Sequence, residues 1–237
     1  MVRSLATFGL LFVLGLTNES LAQSILIDDF STDQSLIVNG GVDSLSVTGG
    51  GILGSERDVE VVGVVAWETD DGETSITRSA TGFTSIASVV FDGLDDDSSV
   101  SDGLNGVDLT GGGSTDSLAF KMISVEGQGH VTITVFDDGT NFIKNQDPIL
   151  FDSAGDIIVP FSFLDSTTGN GVDLGNVNAI KVDFLFVEPG AHNFVIDEIR
   201  TANFSVPEPA SSGALIGFSF LAVYRRTRRK RTTASHD

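Results

Sequence analysis

The chain has 237 residues, no cysteine, 33 acidic residues against 13 basic ones, and a formal net charge of −20. Without a thiol there is no disulfide framework, no cysteine nucleophile and no cysteine-ligated zinc, so stability has to come from an apolar core. The charge excludes a nucleic-acid-binding surface, because one polyanion repels another, while an apolar share of 41% is too high for wholesale disorder.

The chain opens with Arg3, an apolar run over residues 5–16 and then Ser20-Leu21-Ala22. A basic start, a short apolar helix and small residues at its end form a cleavable secretory signal, so residues 1–22 are expected to be removed by signal peptidase after Ala22. Residues 23–204 are then the exported domain. They hold six basic residues (Arg57, Arg78, Lys121, Lys144, Lys181 and Arg200) against thirty acidic ones, a net charge of about −24. Such a surface is repelled by anionic lipid headgroups and attracts divalent cations. A length of ~180 residues is enough for one sizeable core.

Within that domain the recurring pattern is alternation of apolar and polar residues, the signature of half-buried strands. Strands are expected at residues 25–30 (ILIDDF), 57–67 (RDVEVVGVVAW), 74–79 and 85–91, separated by Asp-Gly and Thr-Gly turns. Residues 92–117 (DGLDDDSSVSDGLNGVDLTGGGSTDS) are dense in Asp, Gly and Ser. They read as a long, mobile excursion with a short ordered piece near residues 107–109. Strands resume at 118–125 and 130–136 (HVTITVF), where Val131, Ile133 and Val135 alternate with Thr132 and Thr134. Another is expected at 157–163 (IIVPFSF), with Pro160 placing it at an edge or bend. The last two, 179–187 and 193–200, are joined by Glu188-Pro189-Gly190. Nine or ten short strands at this spacing indicate an all-β chain, a single antiparallel β-sandwich with jelly-roll topology.

Catalytic chemistry has little to stand on. The domain holds two histidines, His130 and His192, in no recognisable constellation, and neither a Gly-x-Ser-x-Gly elbow nor an HExxH motif occurs. With thirty acids, no particular carboxylate pair is informative for glycoside hydrolysis. The Gly111-Gly112-Gly113 tract lacks a following Lys-Ser/Thr and reads as a turn. Trp67, the only tryptophan, ends an apolar alternation and reads as core sooner than as a sugar-stacking platform. No enzyme is expected.

The chain closes on three blocks in fixed order: Val206-Pro207-Glu208-Pro209, an apolar run over residues 210–224, and a cluster of Arg225, Arg226, Arg228, Arg229, Lys230 and Arg231. The prolines keep the first block extended. The apolar run enters a bilayer as a helix, and the cluster stays cytoplasmic by the positive-inside rule. About 15 residues make roughly 22 Å of helix against roughly 30 Å of hydrocarbon, a gap that snorkelling arginines and local thinning can close. Residues 205–231 resemble the PEP-CTERM sorting signal, with Pro207, Glu208 and Pro209 as its motif, and residues 232–237 form a short tail. That resemblance implies handling by a membrane-embedded exosortase, a transient anchor in the inner membrane, and delivery to the cell surface or extracellular matrix, commonly in association with exopolysaccharide or biofilm. The alternatives are a lectin-like carbohydrate-binding module and a membrane-anchored domain facing the periplasm.

The stretches GSERDVEV (54–61), GLNGVDLTGGGSTDSLAF (103–120) and VTITVFDD (131–138) are similar to ectodomains carried by a group of PEP-CTERM proteins, for which no activity is implied. The opening IDDF and closing VIDEI also resemble galactose-binding-like sandwiches. In those, first and last strands are often neighbours and their acids hold a structural calcium. Asp28 and Asp29 could meet Asp197 and Glu198 around a calcium ion; otherwise they are solvated strand-end acids or partners of Arg57 and Arg200. The loop acids Asp92, Asp95, Asp96, Asp97 and Asp102 lack the EF-hand pattern and read as a solubilising loop before a second cation site.

Overall fold

The computed structural model describes residues 24–79, 85–138, 141–169, 171–186 and 188–204. The two terminal helices expected from the sequence, and with them the sorting motif and the basic cluster, lie outside the described residues. Among the described residues no helix is long and apolar enough to cross a membrane.

The described chain forms thirteen strands: β1 (Leu26–Asp28), β2 (Gln34–Thr48), β3 (Glu56–Asp70), β4 (Glu73–Arg78), β5 (Ser85–Phe91), β6 (Ser117–Glu126), β7 (Gly129–Phe136), β8 (Phe142–Asn145), β9 (Ile149–Phe151), β10 (Gly155–Pro160), β11 (Leu164–Thr168), β12 (Ala179–Phe186) and β13 (His192–Ala202). Hydrogen bonds link them in the order β10-β6-β13-β4-β3-β5-β12-β7-β8-β11, with β1 on β13, β2 on β3 and β9 on β7. Every pairing is antiparallel.

What turns this ribbon into two layers is the 15-residue pair β2–β3. The second half of β3 pairs with β4 and its first half with β5, so the strand belongs to both layers. The change falls at Gly63, which faces the two residues Gly40 and Gly41 of β2 where the register slips between Asn39 and Val42. Two residues against one is a β-bulge, which bends the strand and increases its twist. Gly63 has φ +99°, and a Cβ there would press on Ser85 of the incoming β5, so only glycine suits the bend. The chain then alternates between layers, β4 to β5 to β6 to β7, and returns from β12 to β13. This is the jelly-roll form of an antiparallel β-sandwich.

The core lies between the layers. Trp67 of β3 packs on Phe184 of β12 with ring centroids 6.4 Å apart, Phe120 of β6 meets Phe184 edge-on at 6.2 Å, and Phe186 of β12 stacks on Phe194 of β13 at 5.0 Å. Each contact joins one layer to the other. Trp67 is fully buried and donates its indole N–H to Thr69 at 3.2 Å, so it is a core residue. Pro160 is the last residue of β10, an edge strand paired only with β6, which spares the sheet a missing donor. The strand expected over 157–163 stops there, because residues 161–163 turn into a short 3-10 helix that buries Phe161.

Candidate functional site

The alternation of β3 decides the site. Arg57, Val59, Val61, Val65 and Trp67 face the core, so Glu56 and Asp58 face outward, yet both are 0% exposed. The cover is the excursion that follows β5. Its base is closed by Gly93 and Gly103, whose backbones touch; a Cβ on Gly103 would collide with the carbonyl oxygen of Asp92. Its far part is pinned to the segment before β12: Val107 and Val177 exchange both backbone hydrogen bonds at 2.8 Å, and Leu109 N–H donates to Leu174 at 2.9 Å. Leu104 and Leu109 are buried beneath it. The excursion is thus a folded cover, with the ordered piece at 107–109 as its clasp.

Register brings the acids together. Asp58 lies opposite Val90 of β5. Continuing that antiparallel register by two residues sets Asp92 across from Glu56, on the same outer face. Asp95 arrives on the excursion, and its backbone N–H donates to Glu56 Oε2 at 2.7 Å, with Asp96 N–H adding a longer bond at 3.4 Å. Carboxylate oxygens of Glu56, Asp58 and Asp95 lie within 4.8 Å of one another. Asp92 accepts from Ser101 N–H at 2.6 Å through one oxygen. Its other oxygen, Glu56 Oε1 and both oxygens of Asp58 accept no hydrogen bond.

Burial pushes the Asp58 carboxyl up to about 7, and Glu56, Asp92 and Asp95 add repulsion; the Ser46 hydroxyl opposite pulls it down, although it makes no well-formed hydrogen bond to either oxygen. Burial likewise raises Asp92 to about 6, with repulsion from Asp95 and Asp97 working against the Ser101 hydrogen bonds. No cation among the described residues pairs with them. Among the described residues the ion pairs are Arg57–Asp28, Lys121–Asp197, Lys181–Asp183, Arg200–Asp156 and Arg200–Glu198. Three converging carboxylates from a strand and its cover, with no nitrogen or sulfur, suit a hard cation.

The four residues singled out on the terminal strands sit differently. β1 does pair with β13, Leu26 opposite Arg200 and Asp28 opposite Ile199. Asp28, however, points into the core, where Arg57 Nη1 donates to both its oxygens at 3.1 and 2.9 Å. Asp29 caps its own turn, accepting from Ser31 N–H at 3.0 Å. Asp197 is paired with Lys121 and Glu198 with Arg200 Nε at 2.6 Å. Sequence reasoning reached Asp92 and Asp95 through the loop but passed over Glu56 and Asp58. The signal was acids alternating at 56, 58 and 60 with Val59 and Val61 on the opposite face of β3.

His192 Nε2 sits 3.0 Å from the Glu188 carbonyl oxygen, and its ring packs against Phe186 and Phe194.

Comparison with known proteins places one segment. Residues 205–230 match the family described as the PEP-CTERM protein-sorting motif. The chain carries a PEP-CTERM sorting signal. The comparison with curated proteins gives no match. Among solved structures, the PEP-CTERM chain is similar to the family 11 carbohydrate-binding module of Clostridium thermocellum, at 18% identity and TM-score 0.38, covering 78% of this chain and 98% of that one. An agarase, AgWH50C, gives 12% identity and TM-score 0.44 over 78% of this chain and 25% of the other. A non-crystalline-cellulose-specific module, CBM28, gives 12% identity and TM-score 0.35 over 60% and 82%. The sandwich described above rests on strand pairing and burial, independently of these likenesses.

Proposed function

We propose that the protein is exported, held briefly in the inner membrane by its C-terminal segment, handled by an exosortase, and delivered to the cell surface or extracellular matrix, where the acidic sandwich has a structural or binding role. The observation that carries this is the PEP-CTERM match at residues 205–230. The arrangement of the chain supports it: β13 ends at Ala202, so the sandwich passes directly into the sorting segment. Its action is by presence and binding, not by catalysis. The test is cell fractionation with intact-mass measurement, comparing wild type with a variant whose Pro207, Glu208 and Pro209 are all alanine. Wild type is expected at the surface or in the medium without residues 225–231, and the variant in the inner membrane with them. If both keep the basic cluster and stay in the membrane, the tail is a plain anchor and the domain faces the periplasm.

A carbohydrate-binding role has a specific place to be looked for. On the outer face of the other layer, Glu68, Asp70, Asp71, Glu73, Ser75 and Val195 line a shallow depression of about 480 Å³. It offers carboxylates and a hydroxyl to sugar hydroxyls but no aromatic ring, and Trp67 is buried elsewhere. Retention on an immobilised neutral polysaccharide that is lost on Glu73→Ala supports this role; no retention of wild type removes it.

A further inference from the structure

We infer that Glu56, Asp58 and Asp95 are the protein ligands of one calcium ion, which fastens the excursion after β5 to the outer face of β3. The inference is independent of the sorting reading and rests on three observations. First, the three carboxylates converge, with oxygens within 4.8 Å of one another. Secondly, the described residues leave this convergence uncompensated: Asp58 and Glu56 are 0% exposed, yet Glu56 Oε1 has no donor and Asp58 faces only the Ser46 hydroxyl opposite, which makes no well-formed hydrogen bond to it. Buried polar groups are almost always satisfied, and buried anions are paired with a cation or coordinate a metal. Thirdly, every ion pair among the described residues goes to other acids, and Arg57, next in sequence to both, turns the opposite way to Asp28. Among the described residues no side-chain cation supplies the compensating charge.

The chemistry selects the ion. Carboxylate oxygens alone, from a strand and from a loop able to adjust, suit calcium, which accepts six to eight oxygens in flexible geometry; magnesium demands a tighter octahedron and keeps its water. Asp95 is exposed, so the cluster opens to solvent on the excursion side and leaves room for water ligands. The Asp92 oxygen that lacks a donor adds a fourth nearby negative charge. Glu56 Oε2, by accepting from Asp95 N–H, sets the position from which the Asp95 carboxylate reaches the ion.

The experiment is thermal unfolding of the full chain in non-ionic detergent at physiological salt, in EGTA and then with calcium or magnesium chloride added. Wild type is expected to rise by roughly 4–8 °C in about 10 mM calcium, the rise setting in between about 0.1 and 1 mM as in extracellular modules, and by less in magnesium. Asp58→Asn is expected to melt in EGTA no lower than wild type, since it removes a buried charge, and to lose the calcium response. Asp97→Asn, on the exposed part of the same loop, is expected to keep it. An equal calcium response in wild type and Asp58→Asn, or no response up to about 10 mM, overturns the site. An equal response to magnesium overturns the assignment to calcium.

Discussion

Replacing Arg57 with methionine is expected to cost about 3–5 kcal/mol, the penalty for stranding one member of a buried ion pair. Arg57 and Asp28 are both 0% exposed. Besides Asp28, the guanidinium donates to Gln34 Oε1 at 2.8 Å and to the Thr32 carbonyl at 2.6 Å, and it lies 5.3 Å from the centroid of the Phe30 ring. One side chain on β3 thus fastens β1, the turn after it and the start of β2. Gln34 in turn donates to the Leu45 carbonyl at 2.7 Å, tying the two halves of β2 across its bulge. A domain of this kind has about 5–15 kcal/mol in all, so the loss is a large fraction of the total. Urea denaturation followed by fluorescence of Trp67, the sole and fully buried tryptophan, measures it. Arg57→Met combined with Asp28→Leu should recover much of the loss, because an apolar pair avoids the desolvation that the ion pair has to offset. If the double variant is no better than the single one, Arg57 acts through Gln34 and Thr32 and the charge on Asp28 is incidental.

The sequence makes the two-layer fold legible where alternation is strong. HVTITVF becomes β7 with Val131, Ile133 and Val135 buried, and RDVEVVGVVAW becomes most of β3. It hides β2, whose QSLIVNGGVDSLSVT carries two glycines at the bulge and apolar exposed residues such as Ile37 and Val42 on an edge. Strand propensity there is overridden by pairing with β3, a tertiary effect no local pattern announces. β8, β9 and β11 run only three to five residues, too short for a period to register. The same limit applies to the site. For Asp28 the sequence offers calcium, solvent or Arg57 as partner, and only the fold, which brings β3 against β1, selects Arg57, 29 residues away on another strand. Glu56 and Asp95 meet only because the excursion folds back over β3, 39 residues along the chain. A long acidic loop looks solvated when read alone; its buried leucines, Leu104 and Leu109, are what make it a cover.

That cover sets an inverted pH dependence for the metal-free protein. The Asp58 carboxyl is raised from 3.8 to about 7 in the folded state. Between those values the native state holds a proton that the unfolded chain releases, so stability falls as pH rises. The contribution is complete below about pH 4 and is gone above about pH 7. Glu56, Asp92 and Asp95 face the same group, and Asp92, raised to about 6, acts in the same direction over a lower window. Acids whose pKa is lowered by hydrogen bonds, such as Asp29 and Asp108, contribute the opposite slope, but only below about pH 4. Asp28, whose carboxyl burial also raises, acts in the same direction, so over the interval from pH 5 to 7.5 the difference between wild type and Asp58→Asn is what reads the cluster. In EGTA, urea unfolding of wild type is expected to lose on the order of 3 kcal/mol across it, at about 1.36 kcal/mol per unit for a single proton. Calcium should flatten the same curve from its high-pH end, since the ion and the proton compensate the same oxygens. Asp58→Asn should flatten it without calcium. A wild-type curve that is level or rises from pH 5 to 7.5 in EGTA would mean that these carboxylates are solvated in the folded protein and that the excursion does not close over β3.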